Sequence, residues 1–337
     1  MGSAMATRMI PPEFADQFLS SCGWTGARIE PLAGDASFRR YFRVLRDDGH
    51  QAVLMDAPPP QEDPRPFISV AEWLVSVGLS APEILAHDLE RGLLLLGDFG
   101  DDRLREALEL APSRERELYG LATDVLVHLH RHLPMGGLPV HGLPQWLDEL
   151  MLFPDWYCKA LELDVDVEGY RSAWTEVLEP VVQDGLGPVT VLRDYHAENI
   201  MLVEGRDGVA HLGLLDFQDA LAGHPAYDLA SVLEDARRDV APELERAMID
   251  RYVAATGHGE PFERAYWALA AQRNTRILGV FTRLWKRDNK PGYRRFQSRM
   301  WGLLERDLKH PVLAPVRAWF DTNVAAENRA AAWPEVA

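Results

Sequence analysis

The first hundred residues contain short apolar runs of the length expected for β-strands. Tyr41–Leu45 and Gln51–Met55 are separated by a polar connection that contains a glycine, which predicts a β-hairpin. Phe67–Val77 carries apolar residues at helical spacing and is followed by Gly78, which predicts a helix and its end. A further apolar run, Gly92–Gly97, predicts another strand. This part of the chain is therefore expected to be rich in β-structure.

Beyond that point the hydrophobic pattern becomes largely helical. Glu115–His132 repeats its apolar residues on one helical face. Four more amphipathic stretches follow: Tyr170–Val182, Pro242–Ala255, Glu263–Trp285 and Arg294–Leu308. The pattern predicts an α+β protein with a small β-rich lobe and a larger, mainly α-helical lobe. The boundary is expected within Asp98–Asp102, which gives lobes over residues 7–98 and 99–337. Residues 1–6 resemble an expression-vector remnant and are left outside both lobes.

Composition and charge narrow the possible classes of function. Of the 337 residues, 47% are hydrophobic and 26% are charged, which is typical of a globular protein. The net charge of −17 disfavours a nucleic-acid partner. No apolar run is long enough for a membrane span, and the two cysteines are not spaced as a metal or disulfide motif. We expect a cytoplasmic protein, and no obligate protein partner is evident.

One segment has the pattern of a small hairpin with polar residues at its open end. Ile200–Val203 and His211–Leu215 are apolar runs joined by a Gly-containing turn. Asn199 precedes the first run and Asp216 follows the second, so antiparallel pairing should bring their side chains together. An amide oxygen and a carboxylate are suitable ligands for Mg²⁺. The hairpin therefore predicts a magnesium site.

Asp194 lies on the loop that enters this hairpin, five residues before Asn199. From there its carboxylate could accept the proton of an attacking hydroxyl. A base and a metal site in these positions are what phosphoryl transfer requires. Each of these residue types is also common in turns, so the interpretation depends on their joint spacing.

The same residues follow the pattern of a known family. The chain reads Leu192-Arg-Asp194-Tyr-His196-Ala-Glu-Asn199, then Asp216-Phe-Gln218 and Tyr227-Asp228-Leu-Ala230. This resembles the catalytic loop and metal-binding motif of the protein-kinase-like fold, and more closely the aminoglycoside phosphotransferase family. The family has His and Gly where this chain has Leu192 and Arg193, but the remaining spacing holds. The resemblance implies a two-lobed kinase that uses ATP and Mg²⁺.

Two further segments resemble one group within that family. Residues 34–43 and 52–59 are similar to the bacterial N-acetylmuramate/N-acetylglucosamine anomeric kinases of peptidoglycan recycling. The resemblance implies phosphorylation of the anomeric hydroxyl of an amino sugar. It also gives Asp228 a structural role that braces the catalytic loop, although Asp228 could simply cap a helix. His196 is expected to be a buried, hydrogen-bonded histidine with a structural role.

The resemblance implies nucleotide contacts from two regions of the first lobe. A covering hairpin would hold phosphates through backbone N–H groups or arginine side chains, and an interlobe hinge would bind adenine. The residues expected in these roles are Ser37, Phe38, Arg39, Arg40, Leu96, Asp98 and Phe99. The strand at residues 52–55 lacks the phosphate-binding lysine found there in related kinases, so an arginine of the covering hairpin is expected to replace it.

The composition of the basic segment between Gln272 and Arg299 indicates the class of substrate. Its arginines alternate with aromatic residues, which suits an acidic sugar such as N-acetylmuramate better than a polycation, although a solvated helix face is the alternative. The expected substrate contacts are Arg273, Asn274, Arg276 and Arg283.

Two other functions remain open at this point. One is a kinase of the same family that acts on an aminoglycoside, choline or homoserine. The other is a non-catalytic nucleotide-binding module, which the absent lysine would explain.

Overall fold

A computed structural model describes residues 9–34 and 38–329 of the chain. Ser37 and the six residues at the start of the chain lie outside this described part. The chain divides into two compact units. The sheet unit comprises the described residues up to Ala107 together with Asn199–Asp219. The helical unit comprises Leu108–Glu198 and the described residues from Ala220 onwards.

The sheet unit is built on five antiparallel strands: β1 (Arg28–Gly34), β2 (Arg40–Leu45), β3 (Gln51–Asp56), β4 (Ile84–Asp88) and β5 (Leu93–Gly97). They lie in the order β1-β2-β3-β5-β4. The unit also contains helices α1 (Ala15–Ser21) and α2 (Arg65–Ser76). Alternate residues such as Phe42, Val44 and Leu54 are buried together with Phe18 of α1. The period-two pattern therefore places one face of the sheet against α1.

A second, shorter hairpin belongs to the same unit although it comes much later in the chain. It consists of β7 (Ile200–Leu202) and β8 (Leu212–Leu214), which pair antiparallel. The Leu214 N–H donates to the Ser80 carbonyl over 2.7 Å, and the Leu202 N–H donates to the Asp102 carbonyl over 2.7 Å. These backbone bonds attach both strands to segments that flank the main sheet.

The helical unit is organised around one long helix, α9 (Gly259–Lys286). The other helices are α4 (Glu115–Leu129), α5 (Leu143–Leu150), α6 (Val167–Val182), α7 (Ala226–Leu233), α8 (Pro242–Thr256), α10 (Gln297–Asp307), α11 (Ala314–Asn323) and α12 (Ala326–Arg329). Helix α3 (Leu104–Leu110) begins in the sheet unit and ends in the helical unit. A two-stranded sheet pairs β6 (Val189–Val191) with β9 (Leu221–Gly223). Helix α9 packs against α7, α10 and the π-helix Phe153–Cys158. At Gly279 a Cβ would come within 2.4 Å of the Leu152 backbone, so this crossing requires glycine.

The prediction of an α+β protein, β-rich first and helical later, is confirmed by this arrangement. The predicted hairpins and long helices are present within a few residues of their expected bounds. Strands β6 and β9 were not predicted because three residues are too few to establish a periodicity. Among the described residues, no helix is both long and apolar enough to cross a membrane.

A cluster of three neighbouring carboxyl groups lies in the interior of the helical unit. Glu234, Glu245 and Asp307 are each 2% exposed or less. Arg306 contacts Glu234 Oε1 at 3.1 Å and Glu245 Oε2 at 2.9 Å. Asn274 donates through Nδ2 to Glu234 Oε2 and, at 2.8 Å, to Asp307 Oδ2. One guanidinium therefore faces a cluster of three acids, which favours protonation of some of them.

These buried acids should make the protein less stable as the pH rises. Burial raises the pKa of Glu234, Glu245 and Asp307 to about 8, from ordinary values of 4.5, 4.5 and 3.8 respectively. Between these limits the folded state holds protons that the unfolded chain has released. The contribution of these protonated acids to the free energy of unfolding is therefore fully present below about pH 4 and is lost as the pH rises through about 8.

We expect the melting temperature to be lower at pH 9 than at pH 6, and Asp307→Asn to reduce that difference. Thermal unfolding followed by circular dichroism at both pH values measures it. Asp250→Asn, a change at a carboxylate that is 59% exposed, serves as the control and should leave the difference as it is in the unmodified chain. An unchanged pH difference in Asp307→Asn would contradict the assignment.

Candidate functional site

The β7–β8 hairpin brings Asn199 and Asp216 together in the sheet unit. Ile200 pairs with Leu214, and the Leu215 N–H donates to the Asn199 carbonyl over 2.9 Å. As a result, Asn199 Nδ2 lies 3.4 Å from Asp216 Oδ2. The open end of the hairpin thus presents an amide and a carboxylate side by side.

Asp216 is held by neighbours on several sides. Its backbone adopts a left-handed φ of 56°, which is uncommon for residues other than glycine. Gln218 Nε2 donates to Asp216 Oδ1 over 2.8 Å, and Arg39 Nη2 lies 3.6 Å from the same oxygen. The next residue, Phe217, is fully buried and stacks on Phe67 with ring centroids 4.9 Å apart. This packing fixes the direction of the Asp216 side chain.

The oxygen atoms at this end of the hairpin fit a magnesium ion. The Asp216 side chain is 30% exposed, so a hydrated cation could reach it. Gln218 Oε1 is buried without a hydrogen-bond partner and adds an acceptor next to Asp216. No group of three or more His, Cys, Asp or Glu side chains in the described residues is arranged to hold a metal. A few hard oxygen ligands, with water and phosphate completing the shell, are the usual environment of Mg²⁺.

The arginines of the covering hairpin have different environments. Arg39 is 8% exposed and lies between Glu62 and Asp216. Arg40 donates through Nε to Asp56 Oδ2 over 2.8 Å. The Phe38 ring is exposed, whereas its backbone N–H donates to Glu62 Oε1 over 3.1 Å.

The predicted hinge residues lie at the end of β5. The Leu96 side chain is buried. Asp98 accepts hydrogen bonds from Arg43 Nε over 2.6 Å and from the Gly100 N–H over 2.8 Å. Its carboxylate is therefore occupied, and what this segment can offer to a ligand is its backbone. The Phe99 ring packs beside Gly213 and Val203, since a Cβ at Gly213 would come within 2.7 Å of that ring.

In the helical unit, a buried carboxylate braces the loop that carries Asp194. Asp228 is fully buried at the first turn of α7. It accepts hydrogen bonds from the Leu192 N–H over 2.6 Å and from the Arg193 N–H over 2.9 Å. Burial raises the pKa of Asp228 to about 7, while the two N–H groups act in the opposite direction. The loop is thereby tied to α7 immediately before Asp194.

Arg193 occupies a backbone conformation that glycine adopts more easily. Its φ is 73°, in the left-handed region, and it stands where the aminoglycoside phosphotransferase pattern has Gly. An arginine here costs about 1 kcal/mol of backbone strain. Its Nη2 lies 3.0 Å from Glu149 Oε1, and this ion pair offsets part of the cost.

Glu149 of α5 joins several side chains around this loop. Its Oε1 also lies 3.5 Å from Arg276 Nε, and its Oε2 lies 3.3 Å from both His141 Nε2 and Gln272 Nε2. Burial would raise the pKa of Glu149, but these partners lower it to about 2. The sequence did not indicate this residue, because Glu149 is an ordinary polar position on an amphipathic helix, far along the chain from its partners.

The predicted substrate residues lie along α9 in contrasting surroundings. Arg273 is buried and donates to the Glu234 carbonyl over 3.2 Å. Asn274 is fully buried, and its amide group is used by Glu234 and Asp307. In contrast, Arg276 and Arg283 each have a buried Nε without a hydrogen-bond partner.

Charge links Arg276 and His196 to Asp194. Burial lowers the pKa of Arg276, but the surrounding Tyr227, Glu149 and Asp194 raise it overall. Burial also lowers the pKa of His196, against the opposing charges of Asp235 and Asp194. Arg276 is therefore one cationic residue near Asp194, while His196 favours its neutral form.

Comparison with known proteins identifies the family. A family model described as "Phosphotransferase enzyme family" matches residues 28–268. The chain is 38% identical to the N-acetylmuramate/N-acetylglucosamine kinase of Caulobacter vibrioides, over 93% of this chain and 96% of that protein. It is 40% identical to the enzyme of the same name from Pseudomonas aeruginosa, over 79% of this chain and 80% of that protein.

A solved structure shows the same architecture at low identity. The ADP-bound aminoglycoside phosphotransferase APH(2'')-Ib matches with a TM-score of 0.59 and 15% identity, over 88% of this chain and 97% of that chain. This likeness confirms the predicted protein-kinase-like fold. The chain therefore belongs to the phosphotransferase enzyme family and, within it, to the group that contains the N-acetylmuramate/N-acetylglucosamine kinases.

Proposed function

We propose that this protein transfers the terminal phosphoryl group of ATP to the anomeric hydroxyl of N-acetylmuramate and N-acetylglucosamine, forming sugar 1-phosphates for peptidoglycan recycling. The observation that carries the proposal is the 38% identity to a kinase of that name over 96% of its length. The ADP-bound neighbour of the same fold supports the use of an adenine nucleotide. Such a reaction belongs in the cytoplasm, where ATP is available.

Asp194 is the proposed general base of the reaction. It follows the tight turn that Asp228 holds, and a carboxylate there can accept the proton of the attacking sugar hydroxyl. The neighbouring Arg276 places positive charge near that carboxylate.

Asn199 and Asp216 are the proposed ligands of Mg²⁺. When bound, the metal neutralises phosphate charge as it develops during transfer. The hairpin fixes both side chains before any ligand arrives, because backbone pairing of Ile200 with Leu214 sets their positions. We propose that the backbone around Asp98 and Phe99 binds adenine, since the Asp98 carboxylate is already paired with Arg43.

Arg276 and Arg283 are the proposed contacts for the lactyl carboxylate of N-acetylmuramate. Arg283 Nε is buried without a hydrogen-bond partner, and Arg276 Nε lies 3.5 Å from Glu149 Oε1 without forming a hydrogen bond, so a bound carboxylate would give each guanidinium a partner. Asn274 has a structural role instead, because its amide group holds two buried acids. N-acetylglucosamine lacks the lactyl carboxylate and would gain nothing from the two guanidinium groups.

Replacement of Asp194 should abolish most turnover. We expect Asp194→Asn, which keeps the shape of the side chain, to lower kcat by about 10²- to 10⁴-fold while nucleotide binding persists. ADP release is measured with Mg²⁺ and ATP against N-acetylmuramate, N-acetylglucosamine, kanamycin and choline. Turnover of the last two alone would redirect the proposal to another acceptor. Full activity of Asp194→Asn on the amino sugars would rule out its role as the base.

Replacement of Asp216 should weaken magnesium binding rather than proton transfer. We expect Asp216→Ala to raise the Mg²⁺ concentration needed for half-maximal turnover by at least about 10-fold, because a charged metal ligand is lost. A magnesium titration at saturating ATP measures this. Asp207→Ala, a change in the turn of the same hairpin, is the control. An unaltered magnesium requirement in Asp216→Ala would contradict the assignment.

Removal of one substrate arginine should discriminate between the two sugars. We expect Arg276→Gln to raise KM for N-acetylmuramate by about 10-fold and KM for N-acetylglucosamine much less, since only the former offers a carboxylate. Steady-state kinetics with both sugars provides the comparison. Arg287→Gln, at the exposed end of the same helix, controls for the loss of one positive charge. Equal increases for both sugars would count against carboxylate recognition.

A further inference from the structure

Strand β3 lacks a cation where the proposed reaction needs one. It reads Gln51-Ala-Val-Leu-Met-Asp56, without a lysine or arginine. A phosphoryl group in transfer carries negative charge that kinases neutralise with metal and with a basic side chain. The sheet unit must supply that side chain from elsewhere if it binds ATP.

Arg39 is a buried cation beside the proposed metal ligand. Its side chain is 9% exposed, with Nη2 3.6 Å from Asp216 Oδ1 and Nε 3.9 Å from Glu62 Oε2. A buried charge persists only when opposite charges surround it. The guanidinium thus lies between two carboxylates, one of which belongs to the proposed magnesium site.

Glu62 connects the covering hairpin to the loop that precedes α2. Its Oε1 accepts the Phe38 N–H over 3.1 Å while its Oε2 faces Arg39. Its own N–H donates to the Pro58 carbonyl over 3.1 Å, which fixes the loop beneath it. One carboxylate therefore holds both the backbone before Arg39 and the guanidinium itself.

An aromatic contact holds the two sides of this arrangement together. Phe67 begins the first buried turn of α2, and its ring stacks on Phe217 at an angle of 27°. Glu62 lies shortly before Phe67 in the chain, and Asp216 immediately precedes Phe217. The stacked pair therefore packs the start of α2 against the residue after Asp216, and Arg39 lies between Glu62 and Asp216.

Arg40 is committed to another contact. Arg40, the first residue of β2, donates to Asp56 through Nε over 2.8 Å and to the Ile10 carbonyl through Nη1 over 3.1 Å. Asp56 is 2% exposed and depends on this partner. The two neighbouring arginines therefore have different roles.

We propose that Arg39 is the side chain that contacts the nucleotide phosphates in place of the strand lysine, and that Glu62 is a positioning residue that holds it next to Asp216. The inference rests on the proposed function, because it assumes that this unit binds ATP. It adds a residue, Glu62, that lies outside the motifs of the sequence.

Calorimetric titration with Mg²⁺-ATP, without sugar, tests the inference on the full chain. Arg39→Gln should raise the dissociation constant of the nucleotide by about 10- to 100-fold, because a hydrogen-bonding charge on phosphate is lost. Arg46→Gln, which removes a charge in the turn between β2 and β3, should change it by less than about 3-fold. An equal loss of affinity in Arg46→Gln, or none in Arg39→Gln, would overturn the assignment. Circular dichroism establishes that each variant is folded, and Arg39→Lys should recover part of the affinity if Arg39→Gln unfolds.

A double-mutant cycle tests whether Glu62 acts through Arg39. Glu62→Gln should lower kcat with a smaller effect on the nucleotide dissociation constant, and Glu62→Gln combined with Arg39→Gln should be no slower than Arg39→Gln alone. Independent, additive losses would contradict the positioning role. If the unmodified chain binds no Mg²⁺-ATP, the proposed function itself fails. If it binds the nucleotide and phosphorylates the sugars while Arg39→Gln behaves normally, only this inference fails.

Discussion

The backbone pairing of one short hairpin is the constraint on which the candidate chemistry depends. Strands β7 and β8 have three residues each, too few to be stable alone. They persist because the Leu202 and Leu214 N–H groups donate to carbonyls that flank the main sheet. That attachment places Asn199 and Asp216 at one end of the hairpin, with little freedom to separate. The hairpin thus brings together two candidate metal ligands that are 17 residues apart in the sequence.

Ion pairs with buried carboxylates then determine the role of each arginine in the sheet unit. Arg39, Arg40 and Arg43 lie close together in the sequence, yet each faces different carboxylates in the sheet unit. Removing a charge from water is costly, so each guanidinium is held where its partner lies. Arg40 and Arg43, which pair with Asp56 and Asp98, stabilise the sheet. Arg39, which lies beside Asp216, is the arginine whose position also allows contact with a ligand.

The helical unit uses the same principle around Asp194. Asp228 satisfies two backbone N–H groups of the loop, and Glu149 gathers Arg193 and Arg276. The loop is strained at Arg193, where φ is 73°. Strain of this kind persists only where the surroundings over-determine the conformation. The hydrogen bonds of Asp228 and the ion pair of Glu149 with Arg193 hold the loop in this conformation. Glu149 also contacts Arg276 and so helps to position it.

The sequence by itself determined the class of fold, the two hairpins, the long helices and the spacing of Asp194, Asn199 and Asp216. These are local properties, since periodicity and turn residues act over a few positions. Only the tertiary structure decided the partners of the charged side chains. Asn274 looked like a substrate contact beside Arg276, but helical rotation directs its amide to Glu234 and Asp307 in the interior. Glu62 and Glu149 had no signal in the sequence, because an ion pair is defined by distance in space and not by separation along the chain.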